Sequence, residues 1–331
     1  MIEIKGKYNE AKIFTDVVAS PSASSGWPMK KASAISEKRL WTPLQKSFWI
    51  RIIPGTTVPW NGFDQAEKEA NTMGLDIYAG TLTRYYSHNW KTVVQQWAEE
   101  NGYSFNRITP DGEPADNEEE MSPAEVQAAV ENWRDQILSA ISQPGQPPYA
   151  PWLEDNEKPY YTDKPDWDAF GAMLLVAACR TYEEPVPSTV EKDWIFGEHP
   201  LVARLASDEE RVWSLFRGAT WWLPLSDSFL FQGSLPTDDT AAIATLGGLR
   251  KELEKLNQLA WQADEDTILG WADTEGYPVD GTVDSDGQYS KADIPEHTQY
   301  DTQSLAKFAF SMFWRAMRFA EEQQVPILLD Y

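Results

Sequence analysis

Carboxylates beside aromatic rings are the residues of this chain whose types and spacing most directly suggest chemistry. One short stretch brings together three aspartates and three rings: Tyr160, Tyr161, Asp163, Asp166, Trp167 and Asp168. Paired carboxylates hydrolyse glycosidic bonds, which makes a hydrolase acting on a sugar-like ligand one interpretation. Helix capping by Asp166 and a favourable first-turn charge on Asp168 explain the same residues without catalysis. We therefore assign no catalytic residue and keep the hydrolase as an alternative.

A metal site is the second chemistry to consider. The acidic loop Asp280–Gly287 has the composition of a calcium loop, but a start at Asp280 puts Lys291 where an EF-hand needs glutamate. The three histidines lie far apart and have no second ligand at metal-binding spacing: His88, His199 and His297. The sequence therefore predicts no metal site and no cofactor.

A protein-binding surface is the third candidate. Rigid aromatic side chains within or next to a proline-rich segment dominate many interfaces, and this chain has four of them: Trp152, Tyr160, Tyr161 and Trp167. Four carboxylates in a polar loop are suited to a basic partner: Asp111, Glu118, Glu119 and Glu120. The alternative is that the aromatic residues pack the join between two halves of the chain.

The charge balance separates possible partners. The 331 residues include 28 Lys and Arg against 52 Asp and Glu, for a formal net charge of −24. Such a charge repels nucleic acid and anionic lipid and speeds association with basic proteins. It therefore favours a basic protein partner, although acidity also serves solubility.

The cysteine content and the apolar segments suggest a cellular location. Cys179 is the single cysteine, which excludes an internal disulfide. It ends the apolar run Ala169–Cys179, which is much shorter than the ~20 residues of a membrane-crossing helix. The first residues alternate like a strand and do not resemble a secretory leader. We expect a cytoplasmic protein that does not enter a membrane.

Hydrophobic periodicity defines the elements that must hold these residues. Residues 302–323 carry apolar side chains at helical spacing over most of the circumference, which indicates a buried helix. Helices are also predicted at 122–142, 166–182 and 241–261. A further helix is predicted to begin after the capping sequence at Ser207. Residues 220–224 and 229–231 predict a hairpin around Ser226.

The sum is an α+β fold, predominantly α-helical, with helices packed around a buried C-terminal helix and with short antiparallel hairpins. The predicted organisation has three parts: an N-terminal α+β region at 1–142, a Pro- and aromatic-rich connection at 143–165, and a mainly helical region at 166–331.

Two resemblances bear on function. Residues 2–16, IEIKGKYNEAKIFTD, resemble the N-terminus of the RtcB family of RNA-splicing ligases, but the Cys, His and Asp metal ligands of that family have no counterpart in the chain. This resemblance implies, at most, an accessory role in RNA repair. The second half, with its helices and Trp221–Pro224 segment, resembles immunity proteins of bacterial toxin systems.

The preferred hypothesis is an acidic, non-enzymatic cytoplasmic protein that neutralises a basic protein partner, as inhibitors and immunity proteins do. A toxin is the kind of partner that the second resemblance implies. A hydrolase and an accessory factor in RNA repair are the alternatives.

Overall fold

The structure is a computed structural model of the chain. It describes residues 2–6, 10–11, 51–52, 74–100, 102–107, 121–142, 147–237, 239–278, 281–283, 289–291, 294–295 and 297–331. The fold is α+β, as the sequence predicts. The α-helices of the described part are α1 (Leu82–Tyr86), α2 (Val93–Glu100), α3 (Pro123–Ile141), α4 (Trp167–Thr181), α5 (Pro200–Ala206), α6 (Leu246–Ala260), α7 (Glu265–Thr274) and α8 (Thr302–Gln323).

The strands are numbered in the same way. They are β1 (Ile2–Gly6), β2 (Glu10–Ala11), β3 (Arg51–Ile52), β4 (Asp76–Ala79), β5 (Tyr103–Arg107), β6 (Tyr161–Asp163), β7 (Thr189–Glu191), β8 (Ala219–Leu223), β9 (Leu230–Ser234), β10 (Thr240–Thr245), β11 (Gly281–Val283), β12 (Tyr289–Lys291), β13 (Gln299–Asp301) and β14 (Ile327–Asp330). Among the described helices, none has the length and apolar character that crossing a membrane requires.

Side-chain caps explain why the two longest helices begin where they do. Ser122 caps α3 in a capping box, in which Glu125 N donates to Ser122 Oγ at 3.4 Å and Ser122 N donates to Glu125 Oε2 at 3.0 Å. Asp301 caps α8, since Ser304 N donates to its carboxylate at 2.7 Å. Both predicted helices, 122–142 and 302–323, are confirmed.

One mixed sheet connects distant parts of the chain. Its strand order is β3-β9-β10-β8-β14-β4-β6, and every neighbouring pair is antiparallel except β10 with β8. The last strand, β14, lies between β8 and β4, so the C-terminus forms part of the sheet interior. Strands from 1–142, from the connection at 143–165 and from 166–331 share this sheet. The division into regions at 1–142, 143–165 and 166–331 stays a prediction.

The sheet separates two hydrophobic clusters, and successive residues of its strands alternate between them. Ile77 and Trp222 face a large cluster formed with α4 and α8, where Phe170 stacks on Phe313 at a ring distance of 5.6 Å. Tyr78 faces a smaller cluster that is covered by α3. The buried C-terminal helix α8 therefore packs against one face of the sheet, and α3 covers the opposite face.

Several local predictions are wrong, and non-local pairing is the reason in the clearest case. Residues 220–231 do not form a hairpin, because β10 lies between β8 and β9. The predicted helix at 241–261 therefore begins with a strand and becomes helical only at Leu246. Ser207 ends α5 and starts no helix, since its hydroxyl donates to Ala203 O at 3.0 Å.

The N-terminal strand β1 pairs with β2 and also with β5, both antiparallel. A role in RNA repair rests on residues 2–16 alone and stays a prediction.

A segment without regular structure, residues 147–160, crosses the outside of α1 and α3 and is called the strap here. Its central contact is the buried carboxylate of Glu154, which accepts hydrogen bonds from Thr83 N at 2.8 Å and from Trp152 Nε1 at 2.7 Å. Backbone carbonyls of the strap accept hydrogen bonds from Thr81 and Arg134, at 2.8 Å and 2.5 Å. The strap is therefore fixed to the smaller cluster by polar contacts.

Replacing Glu154 by glutamine tests how firmly the strap is held. Each carboxylate oxygen of Glu154 accepts a hydrogen bond, so one N–H donor must face the new amide NH2 group in Glu154→Gln. We expect the free energy of unfolding in urea to fall by about 2 kcal/mol. Glu157→Gln is the matched control, because Glu157 lies on the same strap but is exposed, and it should change stability by less than about 0.5 kcal/mol. Equal losses in the two variants would contradict this role.

Candidate functional site

Three neighbouring strands place an aspartate at the same end of the sheet. Asp76 begins β4, Asp330 ends β14 and Asp163 ends β6. Asp330 pairs with Asp76 in the antiparallel register, whereas Asp163 pairs with Ile77. Because side chains alternate along a strand, Asp76 and Asp330 leave the sheet on the face of the smaller cluster and Asp163 leaves on the other. Like charges directly opposite one another on antiparallel strands are destabilising.

The turn from β6 into α4 brings further charges to the same place. Lys164 Nζ lies 3.4 Å from Asp166 Oδ1, and a side chain at Gly74 would collide with this ammonium group. Asp168 accepts a hydrogen bond from Asp193 N at 3.2 Å. We call these six charged residues the strand-end cluster: Asp76, Asp163, Lys164, Asp166, Asp168 and Asp330.

Tyrosine hydroxyls hold two carboxylates of the cluster in fixed positions. Tyr85 donates to Asp330 Oδ1 at 2.7 Å, and Tyr161 donates to Asp163 Oδ2 at 2.7 Å. Burial raises the pKa of both tyrosines, with the neighbouring aspartate adding to the effect, so each hydroxyl keeps its proton and remains a donor. The two carboxylates are therefore oriented before any ligand arrives.

Partial burial leaves two aspartates easier to protonate than usual. Burial raises the pKa of Asp76 to about 6; Lys164 opposes this effect, whereas Asp330, Asp166 and Asp163 increase it. Burial likewise raises the pKa of Asp168 to about 6, against the hydrogen bond from Asp193 N. Such shifts concentrate at functional sites, because a carboxylate held in an unfavourable place is available to a proton or a cation.

The strand-end cluster differs from a metal centre. In the parts of the chain that the structure describes, no three or more His, Cys, Asp and Glu side chains are grouped closely enough to hold a metal ion. The arrangement is suited to exchanging a proton or to binding an organic cation through separate carboxylates.

The four aromatic residues predicted to bind a partner do not share one surface. Trp152 is buried in the smaller cluster with 5% of its surface exposed. Tyr160 contacts the same cluster, and the Arg84 guanidinium lies 4.5 Å from its ring centroid. Tyr161 and Trp167 lie on the opposite side of the sheet, against the larger cluster. Only these last two are near the strand-end cluster.

The acidic loop predicted to meet the partner lies outside the described residues: Asp111, Glu118, Glu119 and Glu120. Asp280 and residues 284–287 of the rejected calcium loop also lie outside them. Asp163, Asp166 and Asp168, considered above as a carboxylate group, do belong to one cluster. Asp166 takes the cap position of α4, but its side chain makes no capping hydrogen bond, so the predicted cap is wrong.

Sequence reasoning missed Asp76 and Asp330. The available signal was weak: Asp76 directly precedes the short apolar run Ile77–Ala79, and Asp330 directly follows the run Ile327–Leu329. Their meeting depends on the pairing of β4 with β14, which are separated by most of the described chain.

Comparisons with known proteins give no relative. No protein-family model, curated protein or solved structure matches the chain. The class of the protein is therefore given by its own structure: an α+β protein with a strand-end cluster of carboxylates.

Replacing Asp76 by asparagine should stabilise the protein at neutral pH. The pKa of Asp76 is about 6 in the folded state and near 3.8 in the unfolded state, so the folded state binds more protons between these values. The stabilisation conferred by the protonated form is therefore lost as pH rises through 6. We expect Asp76→Asn to raise the free energy of unfolding by about 2 kcal/mol at pH 7.5 and to have little effect at pH 4.

Urea unfolding of the two proteins across this pH range measures the difference. Burial raises the pKa of Glu252 to about 7. Glu252 therefore titrates in the same pH range in both proteins, and its contribution to stability cancels in the comparison. Glu210→Gln removes one exposed charge and is the matched control. Its free energy of unfolding relative to the wild type should not rise between pH 4 and pH 7.5. A destabilised Asp76→Asn variant at pH 7.5 would show that the Asp76 carboxylate is well satisfied.

Proposed function

We propose that this chain is an acidic cytoplasmic binding protein that neutralises a basic protein partner, as inhibitor and immunity proteins do. The observation that carries the proposal is the excess of 52 acidic over 28 basic residues, for a net charge of −24. An excess of this size raises the rate at which a basic protein arrives and disfavours nucleic acid as a partner.

The ion pairs of the described residues support the proposal. Many basic side chains already lie against carboxylates of the same chain: Lys91, Arg134, Lys164, Lys192, Arg211, Arg250, Lys307, Arg315 and Arg318. These pairs neutralise the basic residues internally and leave the surplus carboxylates to act outwards. Exposed pairs such as Glu183–Glu184 and Glu209–Glu210 are examples of that surplus.

The strand-end cluster adds a local feature to the overall charge. Exposed carboxylates attract a partner from a distance but are worth little individually once solvent and salt screen them. Partly buried carboxylates are screened less, so Asp76 and Asp330 are better suited to short-range recognition of a cation. The proposal therefore combines long-range attraction by the surface with recognition at the end of the sheet.

One observation favours a second candidate, a hydrolase that uses paired carboxylates. Asp76 and Asp168 have raised pKa values of about 6, as a general acid requires, and Asp163 and Asp166 lie in the same cluster. Turnover of a glycoside with an optimum near pH 6, lost in both Asp76→Asn and Asp168→Asn, would favour the hydrolase over the binding protein.

The ionic-strength dependence of association tests the binding proposal. The partner is first isolated by affinity capture from the native cell and identified by mass, and its association is then followed by stopped-flow fluorescence of the 16 tryptophans. We expect the association rate constant to fall about tenfold or more between 50 and 500 mM NaCl, because salt screens charge–charge attraction. The dissociation rate constant should change much less.

The same experiment with sucrose in place of salt, at matched viscosity, controls for slower diffusion. An association rate that does not depend on salt, or a captured partner with an acidic surface, would contradict the electrostatic basis of the proposal.

A further inference from the structure

Four aromatic rings lie in contact with one another beside the start of α4. We call them the aromatic row, which consists of Trp194, Phe196, Trp167 and Tyr331 in that order. The centroids of successive rings are 6.3, 6.4 and 5.2 Å apart. Phe196 is buried, but 42% of Tyr331 is exposed, and so is 38% of Ile195, which follows Trp194 in the chain. Exposed apolar surface therefore occurs at both ends of the row.

Packing against α4 holds the aromatic row in place. The Phe196 ring lies 5.8 Å from that of Phe170, and a Cβ atom at Gly171 would collide with it. The chain just before Trp194 is fixed to the first turn of α4, because Asp193 N donates to the Asp168 carboxylate at 3.2 Å. Aromatic side chains that are ordered before binding lose little entropy when a partner arrives, and Trp and Tyr dominate binding hot spots.

Carboxylates accompany every ring of the aromatic row. Each ring has at least one acidic residue within two positions in the chain, and together these are Asp166, Asp168, Asp193, Glu198 and Asp330. The ammonium groups of Lys164 and Lys192 already lie 3.4 and 2.9 Å from Asp166 and Asp193, whose side chains remain 43% and 64% exposed. This excess of negative charge is complementary to a basic surface. It disfavours a second copy of the chain, because a symmetric dimer would bring the same carboxylates together.

A tyrosine next to a carboxylate already holds arginine elsewhere in the chain. Tyr182 donates to Asp208 at 3.0 Å, and the Arg204 guanidinium lies 3.8 Å from the centroid of the Tyr182 ring. Arg211 donates to the same Asp208 carboxylate at 2.8 Å. In the part of the chain that the structure describes, no lysine or arginine lies over the ring of Tyr331. An arginine from another protein would complete the same arrangement there.

We infer that a basic protein partner docks on the aromatic row and stacks an arginine side chain on the exposed ring of Tyr331. This inference rests on the proposed function, because it identifies the surface that the partner contacts. A guanidinium stacks on an aromatic ring and keeps its N–H donors for neighbouring carboxylates. The exposed carboxylate of Asp193 attracts further positive charge at the other end of the row.

Titration of the full chain with an acetylated tetra-arginine amide tests this surface. The readout is the ring 13C–1H NMR signals of Tyr331, and the neutral tetra-citrulline amide is the matched ligand. We expect the arginine peptide to shift these signals saturably, and the citrulline peptide to bind at least about tenfold more weakly because it lacks the positive charge. Added NaCl should weaken the binding of the arginine peptide.

Substitutions locate the contact, with the ring signals of Trp167 as the readout in every variant. Tyr331→Ala should weaken binding of the arginine peptide about fivefold and Asp193→Asn about threefold, whereas Tyr331→Phe keeps the ring and should bind like the wild type. Val212→Ala is the apolar control, since Val212 is 49% exposed and outside the row, and Glu210→Gln is the charge control. Both controls should leave the affinity unchanged. Far-ultraviolet circular dichroism checks that each variant is folded.

Three results would overturn the inference. The first is equal affinity for the arginine and citrulline peptides. The second is a shift without saturation that Tyr331→Ala and Val212→Ala change equally, which would indicate general attraction by the surface. The third is a dimer in sedimentation velocity that dissociates in Tyr331→Ala, because a second copy of the chain would then occupy the aromatic row.

Binding of the captured partner separates this inference from the proposed function. If the partner binds with salt-sensitive kinetics but equally well to the wild type and to Tyr331→Ala, the docking surface is wrong and the function stands. If the arginine peptide binds at the aromatic row but the captured partners are not basic, arginine binding by the row stands and the function is wrong.

Discussion

The register between β4 and β14 is the constraint on which the site depends. Ile327 and Leu329 face the larger cluster, and Leu328 faces the smaller one, so β14 is buried on both faces. Shifting β14 by one residue would turn each of these side chains to the wrong face. The hydrophobic packing of the strand therefore fixes Asp330 opposite Asp76, and the backbones of the two residues cannot move apart without disrupting the core.

Two interactions reduce the free-energy cost of placing the Asp76 and Asp330 carboxylates on neighbouring strands, but they do not remove it. The Tyr85 hydroxyl donates to Asp330, and the Lys164 ammonium lowers the pKa of Asp76. Burial still outweighs Lys164 and keeps the pKa of Asp76 near 6. Proteins tolerate such local instability where a ligand or a reaction uses it, and the remaining packing supplies the stability elsewhere. The buried Glu154 is a contrast, because each of its oxygens has a donor within the chain.

Local sequence signals predict the helices of this protein well. The stripe of α8, the capping box of α3 and the apolar run of α4 each depend on residues within a few turns of one another, and all three helices form as predicted. The fold class follows from them. The strand order of the sheet could not be predicted from local signals, because β10 lies between β8 and β9, and β14 lies between β8 and β4. Strand order is decided by long-range packing that no short pattern encodes.

The site shows the same division between local and distant information. Asp163, Asp166 and Asp168 lie within six residues of one another in the sequence, so they could be recognised as a carboxylate group. Their partners Asp76 and Asp330 come from strands far away in the chain, so the sequence alone could not add them. The aromatic residues illustrate the opposite error: Trp152 and Trp167 are close in sequence, yet the sheet separates them. Proximity along the chain was a poor guide to a shared surface.

The central claim is that Asp76 is held against Asp330 in a partly buried place where its charge is disfavoured. Carboxyl 13C NMR of the unliganded protein, followed between pH 3 and pH 9, measures this directly through the titration midpoint of Asp76. The account predicts a midpoint of about 6, falling in the Asp330→Asn variant because one repelling charge is removed. A midpoint near 3.8 in the wild type, unchanged by that substitution, would contradict it.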